Sequence, residues 1–77
     1  MKKYFVDQVL LIVDGENSDT FTITGFEYNP NKVKENAKSR ARELYPNKTI
    51  TCTILTHRDL NFEEYSEVIK QNPDSKI

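Results

Sequence analysis

Cysteine is nearly absent from this 77-residue chain. A single thiol, Cys52, closes no internal disulfide, and with one histidine, His57, the chain lacks the ligands of a four-coordinate zinc site. One unpaired cysteine points to a reducing compartment. Glycine is scarce as well. Gly15 and Gly25 are the only two, too few for a glycine-rich loop that cradles phosphate. Neither sign of charge is in excess: 11 Lys and Arg against 12 Asp and Glu leave a formal net charge of -1. That balance excludes a polybasic nucleic-acid binder or an acidic DNA mimic as a description of the whole chain. Long hydrophobic runs are missing, since Val9 to Val13 falls far short of the roughly 20 apolar residues of a membrane span. The start MKKYFVDQVLLIV carries two lysines and an apolar stretch, but Asp7 and Gln8 interrupt it and no small-residue cleavage site follows. It reads as a strand rather than a signal peptide. The expectation is a cytoplasmic protein with no membrane association, no cofactor and no metal.

What is present organises into five segments. Residues 3 to 13 are rich in β-branched and aromatic side chains, with apolar residues on both parities toward the end, as in a central strand covered on both faces. The turn DGENSD, residues 14 to 19, follows, with Asp14-Gly15 as its strongest punctuation and Asn17, Ser18 and Asp19 behind it. In TFTITGFEY, Phe21 and Ile23 share one face while Thr20, Thr22 and Thr24 share the other; Gly25 falls where Phe26 and Tyr28 resume the pattern in opposite phase, which suggests a β-bulge. Asn29 and Pro30 form a helix start, and Val33, Ala37, Ala41 and Leu44 fall on one arc of the helical wheel. Pro46 ends that helix. A third strand follows in TITCTILT, with Ile50, Cys52 and Ile54 on one face and Thr49, Thr51 and Thr53 on the other. Asn61 and Glu64 have capping-box spacing, with Leu60 and Tyr65 placed for a hydrophobic staple, and Phe62, Tyr65, Val68 and Ile69 supply the packing face of a short second helix. The fold class is α+β: one small domain over residues 1–72, ordered β-β-α-β-α, and a flexible tail over residues 73–77. A three-stranded sheet of order 2-1-3 carries one helix on a face, and the third strand runs parallel to the second.

Chemistry-bearing motifs are few. HRDLN, residues 57 to 61, resembles the start of the protein-kinase catalytic loop, but position 64 is Glu rather than the required Asn, and no glycine-rich loop accompanies it. The segment reads as a polar loop leading into the second helix. His57 titrates near neutrality, and Asp59 or a glutamate would orient it, yet no nucleophile motif stands with it, so no catalytic residue is assigned. Cys52 reads as a small buried hydrophobe. Asp14, Glu16 and Asp19 do not have EF-hand spacing and read as a solvated hairpin turn.

The basic face of the first helix has more content. Lys34, Lys38 and Arg42 recur every four residues and form one stripe, with Lys32 and Arg40 outside it. Glu35 and Glu43 dilute the helix, and Glu63, Glu64 and Glu67 give the second helix the opposite sign. Lys34, Lys38, Arg40 and Arg42, with Thr49, Thr51 and Thr53 of the third strand, make up the candidate binding surface. The expected activity is non-enzymatic protein binding, with an as yet unidentified host protein as partner and homodimerisation plausible from the opposed helix charges. The alternative is a nucleic-acid binder using the basic face.

The short chain, the MKKY start, the hairpin and the helix ending ELYPNKTITCTI, in an AT-biased composition rich in Lys and Asn, together resemble small accessory proteins of phages and mobile elements of low-GC bacteria. The resemblance covers residues 1 to 55 in pattern. It implies an interaction module, such as an inhibitor or modulator, that binds one host or rival macromolecule.

Overall fold

The computed structural model describes residues 3–77, so Met1 and Lys2 of the MKKY start lie outside the described residues. The elements are β1 (Tyr4–Val13), β2 (Glu16–Phe26), α1 (Pro30–Leu44), β3 (Ile50–Leu60) and α2 (Phe62–Gln71). The strand order is β2-β1-β3. β1 is antiparallel to both neighbours, so β2 and β3 run parallel to each other on opposite sides of it.

β1 and β2 are joined by Asp14 and Gly15, both at positive φ (51° and 83°), the backbone hand of a tight two-residue hairpin. Asp14 also ties the hairpin to the start of β3: its N–H donates to the Thr49 carbonyl, and its Oδ1 accepts the Thr49 N–H, both at 2.9 Å. That second bond holds the Asp14 carboxyl below its ordinary value, with Lys48 at 3.4 Å adding to the effect. At the far end of β2 no bulge occurs. Gly25 sits in regular register opposite Phe5, and the irregularity falls near the hairpin, where Leu11 faces Asp19 and Ile12 faces Asn17. Gly25 is needed for closeness: a Cβ there would lie 3.0 Å from the Phe5 ring and 3.2 Å from Ile77. The phase change read as a bulge is a strand covered on both faces. Ile23 packs toward α1, while Phe26 packs with Tyr4 on the opposite side.

α1 begins as its sequence specifies, with Asn29 Oδ1 accepting the N–H groups of Asn31 and Lys32 and Pro30 in the first turn. Val33, Ala37 and Ala41 are fully buried against Phe5, Val9, Leu11, Ile23 and Cys52. The two alanines let the helix backbone approach the sheet, and it lies chiefly over β3. Leu44, expected on this stripe, is instead 60% exposed; it is the last residue of the helix and lines an open cleft with Thr20, Phe21 and Thr22 of β2.

α2 takes the opposite face of the sheet. The Asn61–Glu64 capping box is complete in both directions. Leu60, one residue before the cap, is fully buried, and Tyr65 stacks on Tyr4 at 4.4 Å between ring centroids. Phe62 and Phe26 close around the same tyrosine, at 5.8 and 5.2 Å. The residues expected to form a flexible tail lie along the outer edge of β2. The Thr24 N–H donates to the Ser75 carbonyl and the Ile77 N–H to the Thr24 carbonyl, while the two hydroxyls of Thr24 and Ser75 are 3.1 Å apart. No helix among the described residues is long and apolar enough to cross a membrane.

Candidate functional site

The third strand is longer than its sequence pattern indicates. His57, Arg58 and Asp59 are not a loop; they continue β3 and pair with Asp7, Val6 and Phe5. The cause is a register shift. Val9 faces Ile54 and Gln8 faces Thr56, so Leu55 is the extra residue of a β-bulge. Before the bulge the even-numbered Ile50, Cys52 and Ile54 face α1; after it the odd-numbered His57 and Asp59 do. One inserted residue therefore turns His57 toward Asp7.

Asp7 is the outcome of the same alternation. Phe5, Asp7, Val9 and Leu11 share the inward parity of β1, which makes Asp7 a fully buried carboxylate within an apolar row. Its Oδ1 lies 2.6 Å from His57 Nδ1, and His57 Nε2 lies 2.9 Å from Asp59 Oδ1. Where both carboxylates are ionised they only accept, and His57 is then the imidazolium, the one form with hydrogen on both ring nitrogens. The electrostatics favour that form. Burial pulls the His57 pKa down, but the hydrogen bonds to Asp7 and Asp59 and the two negative charges outweigh it and hold the pKa above its ordinary 6.5. The ring also lies on Tyr28, with centroids 3.9 Å apart, where a cation is favoured by the aromatic face. Burial, then interaction with Asp7, pushes the Tyr28 hydroxyl up to about 12. Asp7 Oδ2 is buried with no hydrogen-bond partner among the described residues. The arrangement is a charged pin between β1 and β3, with both histidine nitrogens engaged by carboxylates.

The predicted binding surface divides among four places. α1 lies chiefly over β3 on its Val33, Ala37 and Ala41 face, and Arg40 reaches the Lys76 carbonyl beside β2, so Lys34, Lys38 and Arg42, on the opposite flank of the helix, stand on the β3 side. Burial pushes the Cys52 thiol up, while Lys38, Arg42 and Lys34 pull it back toward the anion. None of the three has a carboxylate within 4 Å among the described residues. Arg40 is on the other flank, where its Nη2 donates to the Lys76 carbonyl at 3.4 Å. Thr51 and Thr53 face away from α1, paired with Ile12 and Leu10, and are exposed. Thr49 precedes β3, and both its backbone groups are taken by Asp14.

Between the cationic flank and the threonine face runs the outer edge of β3. It pairs with β1 on its inner side and with nothing on its outer side among the described residues, whereas the β2 edge is partly covered by Ser75–Ile77. Leu55, displaced by the bulge, is 53% exposed. A separate cleft of about 360 Å³ opens beside Phe5, Glu27, Lys32 and Asn36, with Asn36 Oδ1 buried and unpartnered at its wall. Among the described residues, no group of three or more His, Cys, Asp or Glu side chains is arranged to hold a metal. No family model, curated protein or solved structure matches the chain.

Proposed function

We propose that the chain is a non-enzymatic protein-binding module that takes an extended segment of its partner onto the outer edge of β3. The observation that carries this reading is the asymmetry of the sheet: one edge is partly covered by the chain's own C-terminus, and the other offers an uncovered strand with exposed Thr51, Thr53 and Leu55 beside it. An uncovered edge is a template for strand addition, in which backbone hydrogen bonds supply affinity and flanking side chains supply selectivity. The engagement of both His57 nitrogens supports the non-enzymatic part, because a general base needs a free nitrogen facing its substrate. By its resemblance to phage and mobile-element accessory proteins, the partner is a host protein in the cytoplasm, which the module inhibits or modulates.

The second reading is a nucleic-acid binder, favoured by three cations on one helix flank without carboxylate partners among the described residues. A tagged pull-down from the host, with and without nuclease, separates the two. A specific protein recovered despite nuclease, with slowed amide exchange confined to β3 in the complex, is the expected result. Recovery of nucleic acid alone, lost in Lys34→Glu/Arg42→Glu, overturns it.

A further inference from the structure

From the unpaired β3 edge and the cations beside it, we infer that the strand this edge accepts is acidic, with carboxylates on alternate residues. This inference rests on the edge-docking reading above and adds the chemistry of the occupant. An added strand would lie next to Ile50–Ile54 and present every second side chain to the α1 side, where Lys34, Lys38 and Arg42 occupy the β3-side flank of the helix. The spacing fits. Residues four apart on a helix are about 6 Å apart along its axis, and residues two apart on a strand are about 6.6 to 6.8 Å apart. Along the helix axis, three cations at i, i+4 and i+8 therefore repeat at nearly the interval of carboxylates at j, j+2 and j+4, and the long lysine and arginine side chains take up the roughly 40° by which the stripe turns at each step. The intervening side chains of the added strand would meet Thr51, Thr53 and Leu55, a surface suited to threonine or valine.

The same charges argue against a second copy of this chain as the occupant. Two-fold pairing of two β3 edges is antiparallel, with the axis normal to the sheet, so both α1 helices fall on one face. Their Lys34, Lys38 and Arg42 stripes would then oppose each other, and like charges across an interface repel. Glu43 lies about 100° around the helix from Arg42, and Glu35, about 20° from Arg42, is the one carboxylate of α1 near the stripe, so cations outnumber it there.

The test uses the full chain and two fluorescein-labelled eight-residue peptides, one alternating glutamate with valine and one alternating lysine with valine, together with a single-stranded oligonucleotide. Anisotropy is expected to show the glutamate peptide binding about tenfold more tightly than the lysine peptide. Lys34→Glu/Lys38→Glu/Arg42→Glu, whose changes lie on a solvent-facing stripe, is expected to invert that order while keeping the circular dichroism spectrum. Amide exchange along β3 should slow in the complex. Slowing of β3 by both peptides at equal affinity overturns the acidic inference and leaves edge docking standing. Glutamate-peptide binding without slowing of β3 overturns edge docking itself. Preference for the oligonucleotide, or a concentration-dependent dimer with protected β3 amides, also overturns the inference.

Discussion

Replacing His57 by alanine tests the pin between β1 and β3 most directly. The substitution leaves Asp7, fully buried between Phe5 and Val9 on β1 and paired with Ile23 of β2, without a cation. Removing one partner of a buried ion pair costs about 3 to 5 kcal/mol, largely through the charge left behind. The His57 side chain is 30% exposed, which places the loss near the lower figure. For a domain of this length, about 3 kcal/mol lowers the melting temperature by more than about 10 °C. Thermal melts followed by circular dichroism read this out. Asp7→Asn in the His57→Ala background removes the stranded charge and should recover stability, so the double variant is expected to melt above His57→Ala alone.

The pH dependence has a fixed sign. His57 is held above its ordinary 6.5 in the fold by Asp7 and Asp59, against burial. Its contribution is therefore complete below about 6.5 and lost as pH rises through the higher folded value. The gap between wild type and His57→Ala should be larger near about pH 6 than near about pH 9. A gap unchanged across that range, or a double variant no more stable than His57→Ala, refutes the reasoning.

Three further outcomes are expected. Ala41→Glu buries a carboxylate between α1 and the sheet, a loss of at least about 3 kcal/mol and enough to unfold much of a marginal domain; a melt equal to wild type would show that this helix face is not the packed one. Gly25→Ala drives a methyl group against the Phe5 ring, itself packed edge-on to Tyr28 at 5.0 Å, and should cost about 1 to 3 kcal/mol in urea unfolding, with an unchanged midpoint counting against the close approach. Removing residues 73–77 strips two backbone hydrogen bonds from Thr24, so the Thr24 amide should exchange much faster in the truncated chain than in the full one; equal rates would mean that the tail does not stay docked.

The architecture was legible because its signals are local. Asn29-Pro30, Pro46, Asp14-Gly15 and the Asn61/Glu64 pair each act within a few residues, and the order of the strands followed from β1 being the most apolar. The pin was not legible from the third strand. TITCTILT shows clean alternation through Ile54, and the polar HRD behind it resembles a loop, because a bulge shifts the parity without any glycine or proline to mark it. The signal that was available lies in β1. Asp7 holds the inward parity between Phe5 and Val9, and a buried carboxylate needs a partner; the only histidine of the chain is an obvious candidate. The basic stripe was visible as helical periodicity, but its place beside β3 was not, since that depends on which flank of α1 faces which sheet edge. Leu44 was misassigned for a related reason: the helical wheel gives direction, not how closely the last turn of the helix packs.

The bulge at Leu55 bears on the candidate surface as well as on the pin. It divides the β3 edge into a regular run, Ile50 to Ile54, and a second run that carries the His57–Asp7 pair. The first run is about 17 Å long, enough for a short strand but too short for the long flat pairing that drives open-ended aggregation. The cations of α1, Lys34, Lys38 and Arg42, lie on the β3 side of the helix. A partner that pulled His57 away from Asp7 would strand a buried charge, whereas one that adds to Ile50–Ile54 leaves that pair untouched. The bulge interrupts regular pairing at Leu55, so a regular added strand fits the first run. On these grounds a short acidic strand fits the edge better than a long neutral strand or a second copy of the chain.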